Sequence, residues 1–146
     1  TLGELSFGEV ANLKEYLSEG TFEGLVEAFR IVFGVKRSTY LSADVVSFFY
    51  ALNWLSKEVE NIIQIENKML SADPDPLLEM AGVEKLAVFR ELPTLAYLGQ
   101  QYGQPPQVVE TWSYNLVFSL MLLDKRQGEV RDRYQQLKNP SNGNKR

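Results

Sequence analysis

Cysteine and histidine are both absent from this chain of 146 residues. Without cysteine no disulfide can form, and thiol redox chemistry is excluded. Zinc, copper and haem lose their usual protein ligands, and Ser-His-Asp or Cys-His catalysis loses its base. Aspartate, glutamate, lysine and tyrosine remain for acid–base work. We therefore expect a protein that is not an enzyme and uses no cofactor, no metal ion and no small-molecule substrate.

Long hydrophobic runs are also absent. The longest apolar candidate, Leu116 to Leu123, falls far short of the ~20 residues that span a bilayer. The first residues, Thr1 to Glu4, carry no basic segment followed by an apolar one, so no signal peptide is expected. These features predict a cytoplasmic protein that does not associate with membranes.

The composition is that of a folded domain, with 45% hydrophobic and 23% charged residues. We expect a single helical domain over residues 1–138 and a mobile polar tail over 139–146, where no residue is apolar. The net charge of -4 is unevenly placed: residues 1–123 sum to -8 and residues 124–146 to +4. The basic end suits an acidic protein, nucleic acid or the acidic body of a second copy.

Helix signals dominate the first third of the chain. Ser6 and Glu9 have the spacing of a capping box, and Gly20 is a natural helix stop. Thr21 can cap the next helix, whose apolar residues recur at helical spacing until Gly34. A link this short predicts a helical hairpin.

A third helix is predicted from Ser42, its expected cap, with Asp44 in the first turn. It either runs unbroken to Leu70 or breaks near residues 53–56. Its expected core face consists of Val45, Phe48, Phe49, Leu52 and Leu55, whereas Tyr50 and Trp54 are expected to form a second contact.

Prolines and glycines divide the next region. Asp75-Pro76 is expected to start a short helix that ends at Gly82, and residues 83–92 form another. Pro93 restarts a helix that runs to Gly103, and Pro105-Pro106 forces a corner before a long last helix. The predicted fold is an all-α single-domain bundle of about five to seven helices with a long C-terminal helix. Its core should bury Phe29 and Trp112.

The last helix carries an apolar stripe at heptad spacing. We define the stripe as residues 116, 120, 123, 127, 130, 134 and 137, which are Leu, Leu, Leu, Gln, Val, Tyr and Leu. The spacing also extends backwards to Ser113 and Val109. The first half of the helix is apolar nearly all round, which is typical of a central core helix. In the second half only the stripe is apolar. Gly128 also lies in this half of the helix and is either a hinge or a stop.

The second half is the candidate contact surface. Basic residues flank the stripe there, and Glu129 with Arg133 has the spacing of a favourable i, i+4 pair. Either the N-terminal helices of the chain cover this stripe, or another protein or a second copy does. The candidate partner-binding residues are Val130, Tyr134, Leu137, Arg126, Arg131 and Arg133.

Other candidate sites have simpler explanations. Asp73 and Asp75 form a tight acidic pair, but DPDP is also an ordinary loop between helices. The glycines of GQQYGQPP lack the lysine of a phosphate-binding loop. The aromatic residues Phe48, Phe49, Tyr50 and Trp54 are more typical of a core than of a ligand pocket. The basic end lacks an aromatic platform or a DNA-reading motif, which disfavours nucleic acid.

Three segments together resemble a known class of viral protein: LSFGEVANLKEYLSEG, then TFEGLVEAFRIVFG and, after the proline-marked region, PPQVVETWSYNLVFSLMLL. This layout resembles the small helical proteins of tailed bacteriophages and is most similar to their tail assembly chaperones. The resemblance spans most of the chain but rests on pattern, without a diagnostic motif.

The resemblance implies a small, α-helical, non-enzymatic protein of the host cytoplasm that binds the tape-measure protein while tail-tube subunits polymerise. Such proteins often carry a charged, flexible C-terminal extension, and self-association is a further expectation. No functional residue is carried over, because the family pattern supplies no invariant one. The alternatives are a virion structural or adaptor protein, a small nucleic-acid-associated regulator, and an inhibitor of a host defence enzyme.

Overall fold

A computed structural model describes residues 1–36, 38, 39, 42–71 and 79–138 of the chain. The prediction of an all-α fold with a long helix near the C-terminus is confirmed. Within the described residues the helices are α1 (Phe7–Glu19), α2 (Phe22–Phe33), α3 (Val45–Leu70), α4 (Leu92–Tyr102), α5 (Pro106–Glu110) and α6 (Tyr114–Lys138). Two 3₁₀ helices span Leu2–Glu4 and Val83–Phe89.

Helices α1 and α2 form the predicted hairpin. The capping box is present, because the Ser6 side chain accepts from Glu9 N–H while the Glu9 carboxylate accepts from Ser6 N–H. Gly20 ends α1 in the left-handed conformation, with φ of 62°. Gly24 allows the close approach of α2, since a Cβ there would lie 2.8 Å from the carbonyl oxygen of Tyr16.

The cap of helix α3 lies two residues after the predicted one. The N-cap is Asp44, whose carboxylate accepts from Ser47 N–H at 2.9 Å, and not Ser42. A carboxylate in the cap position also interacts favourably with the positive end of the helix dipole. The helix then runs for 26 residues without a break at residues 53–56.

The corner before the last helix is longer than predicted. Pro106 is the first residue of the five-residue α5, and the long helix begins only at Tyr114. Between them, Phe7 N–H donates to the Trp112 carbonyl and Tyr114 N–H donates to the Leu5 carbonyl, both at 2.8 Å. Val109 and Ser113 therefore do not belong to the helix that carries the stripe, and α6 is tied to the start of the chain.

The core consists of two clusters that share α1. One groups residues of α1, α4, α5 and α6 around Val10, Leu98 and Val117. The other groups α1, α2 and α3 around Leu13, Phe29 and Leu55. Leu5 and Ile62 contact both clusters. The buried position of Phe29 is confirmed, but Trp112 is only partly buried because it lies in the corner before α6 and not on it.

Some predictions for the middle and end of the chain fall on residues that the structure describes, and others do not. Residues 83–89 form the expected short helix, which is a 3₁₀ helix, and Gly82 precedes it in the left-handed conformation. Helix α4 ends at Gly103 as predicted. The predictions for Asp73 to Pro76 and for the tail at 139–146 lie outside the described residues.

Candidate protein-interaction surface

The first half of α6 packs on the domain through one face. Tyr114 and Val117 are buried, and Phe118 and Met121 pack partly buried against the same cluster. The Tyr114 ring stacks between Phe7 and Phe118, at centroid distances of 6.4 and 6.0 Å. This half was predicted to be a central core helix, which is wrong, because Leu116, Ser119 and Leu123 are exposed.

A polar network fixes this packed face. The Tyr114 hydroxyl donates to Glu66 at 2.9 Å, and Lys14 Nζ lies 2.5 and 2.6 Å from the two Glu66 oxygens. Burial, together with the hydrogen bond to Glu66, raises the pKa of the Tyr114 phenol. The network joins α1, α3 and α6, and it was missed from the sequence because its three members lie on different helices.

Among the described residues, the last hydrogen bonds from α6 to another part of the domain are made by residues 124 and 125. Lys125 Nζ donates to the carbonyls of Met69 (3.0 Å) and Ser71 (2.6 Å), at the C-terminal end of α3. A cation here satisfies carbonyls that have no partner inside the helix and interacts favourably with its dipole. Asp124 accepts from the Tyr97 hydroxyl at 2.6 Å, and this bond raises the pKa of Tyr97.

Beyond Lys125, α6 continues as an exposed helix. It runs through Gly128 to Lys138, so Gly128 is not a stop. Residues 129–138 are all exposed. The candidate partner-binding residues Val130, Tyr134, Leu137, Arg126, Arg131 and Arg133 all lie on this exposed segment.

Apart from Leu120, which packs partly buried against the core, the apolar stripe does not face the domain. Its exposed fractions are 46% at Leu116, 51% at Leu123, 69% at Val130, 60% at Tyr134 and 65% at Leu137. At 100° per residue the stripe lies about 150° around the helix from the packed face formed by residues 114, 117, 118 and 121. The N-terminal helices therefore leave the stripe open along most of its length.

Charged groups edge the open stripe. Arg126 pairs with Glu129 at 2.7 Å. The sequence spacing predicted an ion pair between Glu129 and Arg133. This prediction is wrong, because Glu129 pairs with residues 125 and 126 instead. Neither Arg131 nor Arg133 forms an ion pair with another residue that the structure describes. Lys125 is directed away from the stripe, towards the end of α3.

The other sequence candidates fare differently. Asp73 and Asp75 lie outside the described residues, and within the described ranges no group of three or more acidic side chains could hold a metal ion. Phe48 stacks on Phe29 with ring centroids 5.4 Å apart. Phe49 and Tyr50 are exposed. The prediction that Phe49 belongs to the core face is therefore wrong.

A second open apolar face was not predicted. Val45, Val46, Phe49 and Tyr50 are all exposed at the start of α3. A run of consecutive apolar residues predicts a helix that is buried in the core. Such a run does not indicate which face of the helix is left exposed. No helix in the described part of the chain combines the length and apolar character needed to cross a bilayer.

No protein-family model, curated protein or solved structure matches this chain.

Proposed function

We propose that this chain is a non-enzymatic protein-interaction protein that binds a protein partner through the second half of α6. The observation that carries the proposal is the open stripe: Val130, Tyr134 and Leu137 continue a heptad pattern beyond the last attachment at Lys125. These three large apolar side chains lie exposed on an otherwise polar segment and belong to neither core cluster of the described residues. Contiguous exposed apolar surface of this kind marks interaction sites.

The role that we propose within this class is that of a bacteriophage tail assembly chaperone, acting in the host cytoplasm on the tape-measure protein. Its support is the resemblance of the sequence pattern and the all-α fold expected of such a protein. An exposed helix with an open stripe suits a chaperone, because it can engage a partner without unfolding the domain that carries it. A virion adaptor protein would use the same surface.

We assign a structural role, and not a catalytic one, to the network of Lys14, Glu66 and Tyr114. Its members bond to each other across three helices, and they tie the first half of α6 to the domain. The proposed function therefore involves binding and no chemical reaction.

The proposal is tested by co-expression with the tape-measure protein encoded in the same genome. The stripe variant combines Val130→Gln, Tyr134→Gln and Leu137→Gln, which keeps good helix formers on an exposed helix. The matched control combines Val46→Gln, Phe49→Gln and Tyr50→Gln on the open face of α3. We expect the wild type and the control to co-purify with the tape-measure protein and keep it in solution, whereas the stripe variant does neither.

Retention of the partner by the stripe variant would contradict the interface. If only the control variant fails to retain the partner, the interface lies on α3 and not on α6. Failure of the wild type to bind the tape-measure protein would contradict the chaperone role and leave the wider class of interaction protein to other partners.

Nucleic acid is the second candidate partner, because Arg131 and Arg133 are exposed without an ion pair among the described residues. Phosphate-driven binding would appear as an affinity for random DNA that falls linearly with log salt concentration. We expect weak binding at physiological salt. Tight binding with a steep salt slope, abolished by charge reversal at Arg126, Arg131 and Arg133, would favour this candidate over the protein partner.

A further inference from the structure

The open stripe has the geometry of one side of a coiled coil. Its residues span Leu116 to Leu137 at alternating spacings of four and three, over a helix length of about 32 Å. Leu120 packs partly buried against the core, but the stripe residues beyond it are exposed. A second helix can therefore lie along residues 123–137 without displacing a core contact of the described residues. In a coiled coil, the residues next to such a stripe set partner choice and orientation.

These flanking positions are basic beyond the last attachment to the domain. Arg126 and Arg133 directly precede Gln127 and Tyr134 of the stripe, on one side of it. On the other side, Arg131 directly follows Val130, and Lys138 follows Leu137. All four side chains belong to exposed residues. Glu129 and Asp132 are also on this segment, but neither occupies a flanking position.

A second copy of the chain fits these positions poorly. A parallel, in-register pair of α6 helices would place Arg126 against Arg131 of the other copy, and Arg133 against its Lys138. An antiparallel pair would oppose the preceding positions to each other, so arginine would again meet arginine. Like charges across a coiled coil select against the pair that brings them together.

The opposite charge on the partner removes this conflict. A helix with glutamate or aspartate at its own flanking positions would place a carboxylate near each of the four cations. Arg126 would then exchange or share its bond to Glu129, while Arg131 and Arg133 gain partners that the described residues do not supply. Attraction of this kind steers association and fixes orientation more than it raises affinity.

Gln127 adds a second element of selectivity. It is the one polar member of the stripe and lies near the middle of its length. A single polar residue in an apolar coiled-coil layer lowers stability but fixes the register when the partner supplies a polar group opposite it. The partner therefore needs a polar residue at the matching layer.

We propose that the stripe of α6 pairs with a single amphipathic helix of another protein, whose apolar heptads carry acidic residues at both flanking positions and one polar residue opposite Gln127. This inference rests on the proposed function, because it names the chemistry of the partner for the same surface.

The test uses two synthetic helices of about 28 residues, or four heptads. Both carry leucine at the stripe positions and one glutamine in a central layer. The acidic probe has glutamate at every flanking position, and the basic probe has lysine there. Binding of each labelled probe to the full chain is measured by fluorescence anisotropy at low salt and again at physiological salt.

We expect the acidic probe to bind at least about tenfold more tightly than the basic probe at low salt, with a smaller preference as salt screens the charges. Combining Arg126→Glu, Arg131→Glu and Arg133→Glu should reverse the preference. The matched control combines Lys36→Glu, Lys57→Glu and Lys68→Glu, which makes the same change of net charge away from the stripe. It should keep the preference of the wild type, and circular dichroism should report equal helix content in all variants.

Three results would overturn the inference. Equal binding of both probes would contradict the acidic partner, and no binding of either would contradict helix pairing. Concentration-dependent dimers in sedimentation velocity, lost in the stripe variant, would make a second copy the occupant. If neither probe binds while capture of the tape-measure protein still depends on the stripe, this inference fails and the proposed function stands. If the acidic probe binds but capture does not depend on the stripe, the proposed function fails and this inference stands.

Discussion

Two tyrosines on one helix show how different the two halves of α6 are. The ring of Tyr114 is buried between Phe7 and Phe118, and its hydroxyl donates to Glu66. Tyr134, 20 residues further along the same helix, is 60% exposed. The first half of α6 packs against the core of the domain, whereas the second half extends from it as an exposed helix.

The difference is one of direction as well as of position. The packed face contains Tyr114, Val117 and Met121, whereas the stripe begins at Leu116 on nearly the opposite side. Apart from Leu120, the residues of the heptad pattern thus do not continue the core. A regular apolar pattern indicates that a helix has a contact to make, but it does not identify whether the contact is inside the domain or outside it.

The largest expected effect separates the two tyrosines directly. Tyr114→Ala should lower the free energy of unfolding by about 3–5 kcal/mol, because it leaves a cavity in the core and removes a bond to Glu66. Tyr134→Ala should change it by less than about 0.5 kcal/mol, as for other exposed positions. Urea unfolding followed by circular dichroism measures both. Equal effects would remove the distinction between the halves.

The next effect concerns the point where α6 leaves the domain. Lys125→Ala should lower the free energy of unfolding by about 1–2 kcal/mol, since it removes two charge-assisted hydrogen bonds at the end of α3. The neighbouring Arg126→Ala removes only an exposed pair with Glu129 and should have little effect. If both variants were equally stable, the hydrogen bonds of Lys125 would not hold α6 on the domain.

A pH dependence sharpens the account of the packed half. Burial and the bond to Glu66 raise the pKa of Tyr114 above its ordinary value of 10.0, so the folded state holds this proton more strongly than the unfolded state. The resulting stability is present below the ordinary pKa and is lost as the pH rises above it. Between about pH 8 and pH 11, the wild type should therefore lose more stability than Tyr114→Phe. Parallel pH profiles of the two proteins would contradict a buried phenol.

The smallest effect lies in the exposed half. Nothing within 4 Å would meet a Cβ at Gly128, so Gly128→Ala is sterically free. It should raise helix stability in this segment by up to about 1 kcal/mol, because alanine loses less backbone entropy than glycine. Slower amide exchange over residues 126–138 is the expected readout. No change there would indicate that Gly128 does not limit the helix.

Local signals in the sequence predicted the helices well. The capping box at Ser6 and Glu9 and the glycine ends at Gly20 and Gly103 were confirmed, because they depend on residues within one turn. Boundaries shifted where two signals competed. Ser42 and Asp44 are both good caps, and Asp44 is the one used.

The sequence did not reveal which faces the domain covers. Val45 and Phe49 were expected in the core but are exposed, and Trp112 was placed on a helix but lies in the corner before it. Such facts depend on how several helices cross, which periodicity within one helix does not encode. The candidate surface could be predicted from the sequence because its contrast of apolar stripe and basic flanks is a property of one helix alone, and its exposure is what the structure adds.

The most direct test of the central claim is the unfolding free energy of the stripe variant, Val130→Gln with Tyr134→Gln and Leu137→Gln. If the second half of α6 is a contact surface that the domain does not need, its stability should equal that of the wild type within about 0.5 kcal/mol. A loss of several kcal/mol would show that the stripe packs inside the protein, and it would contradict the account.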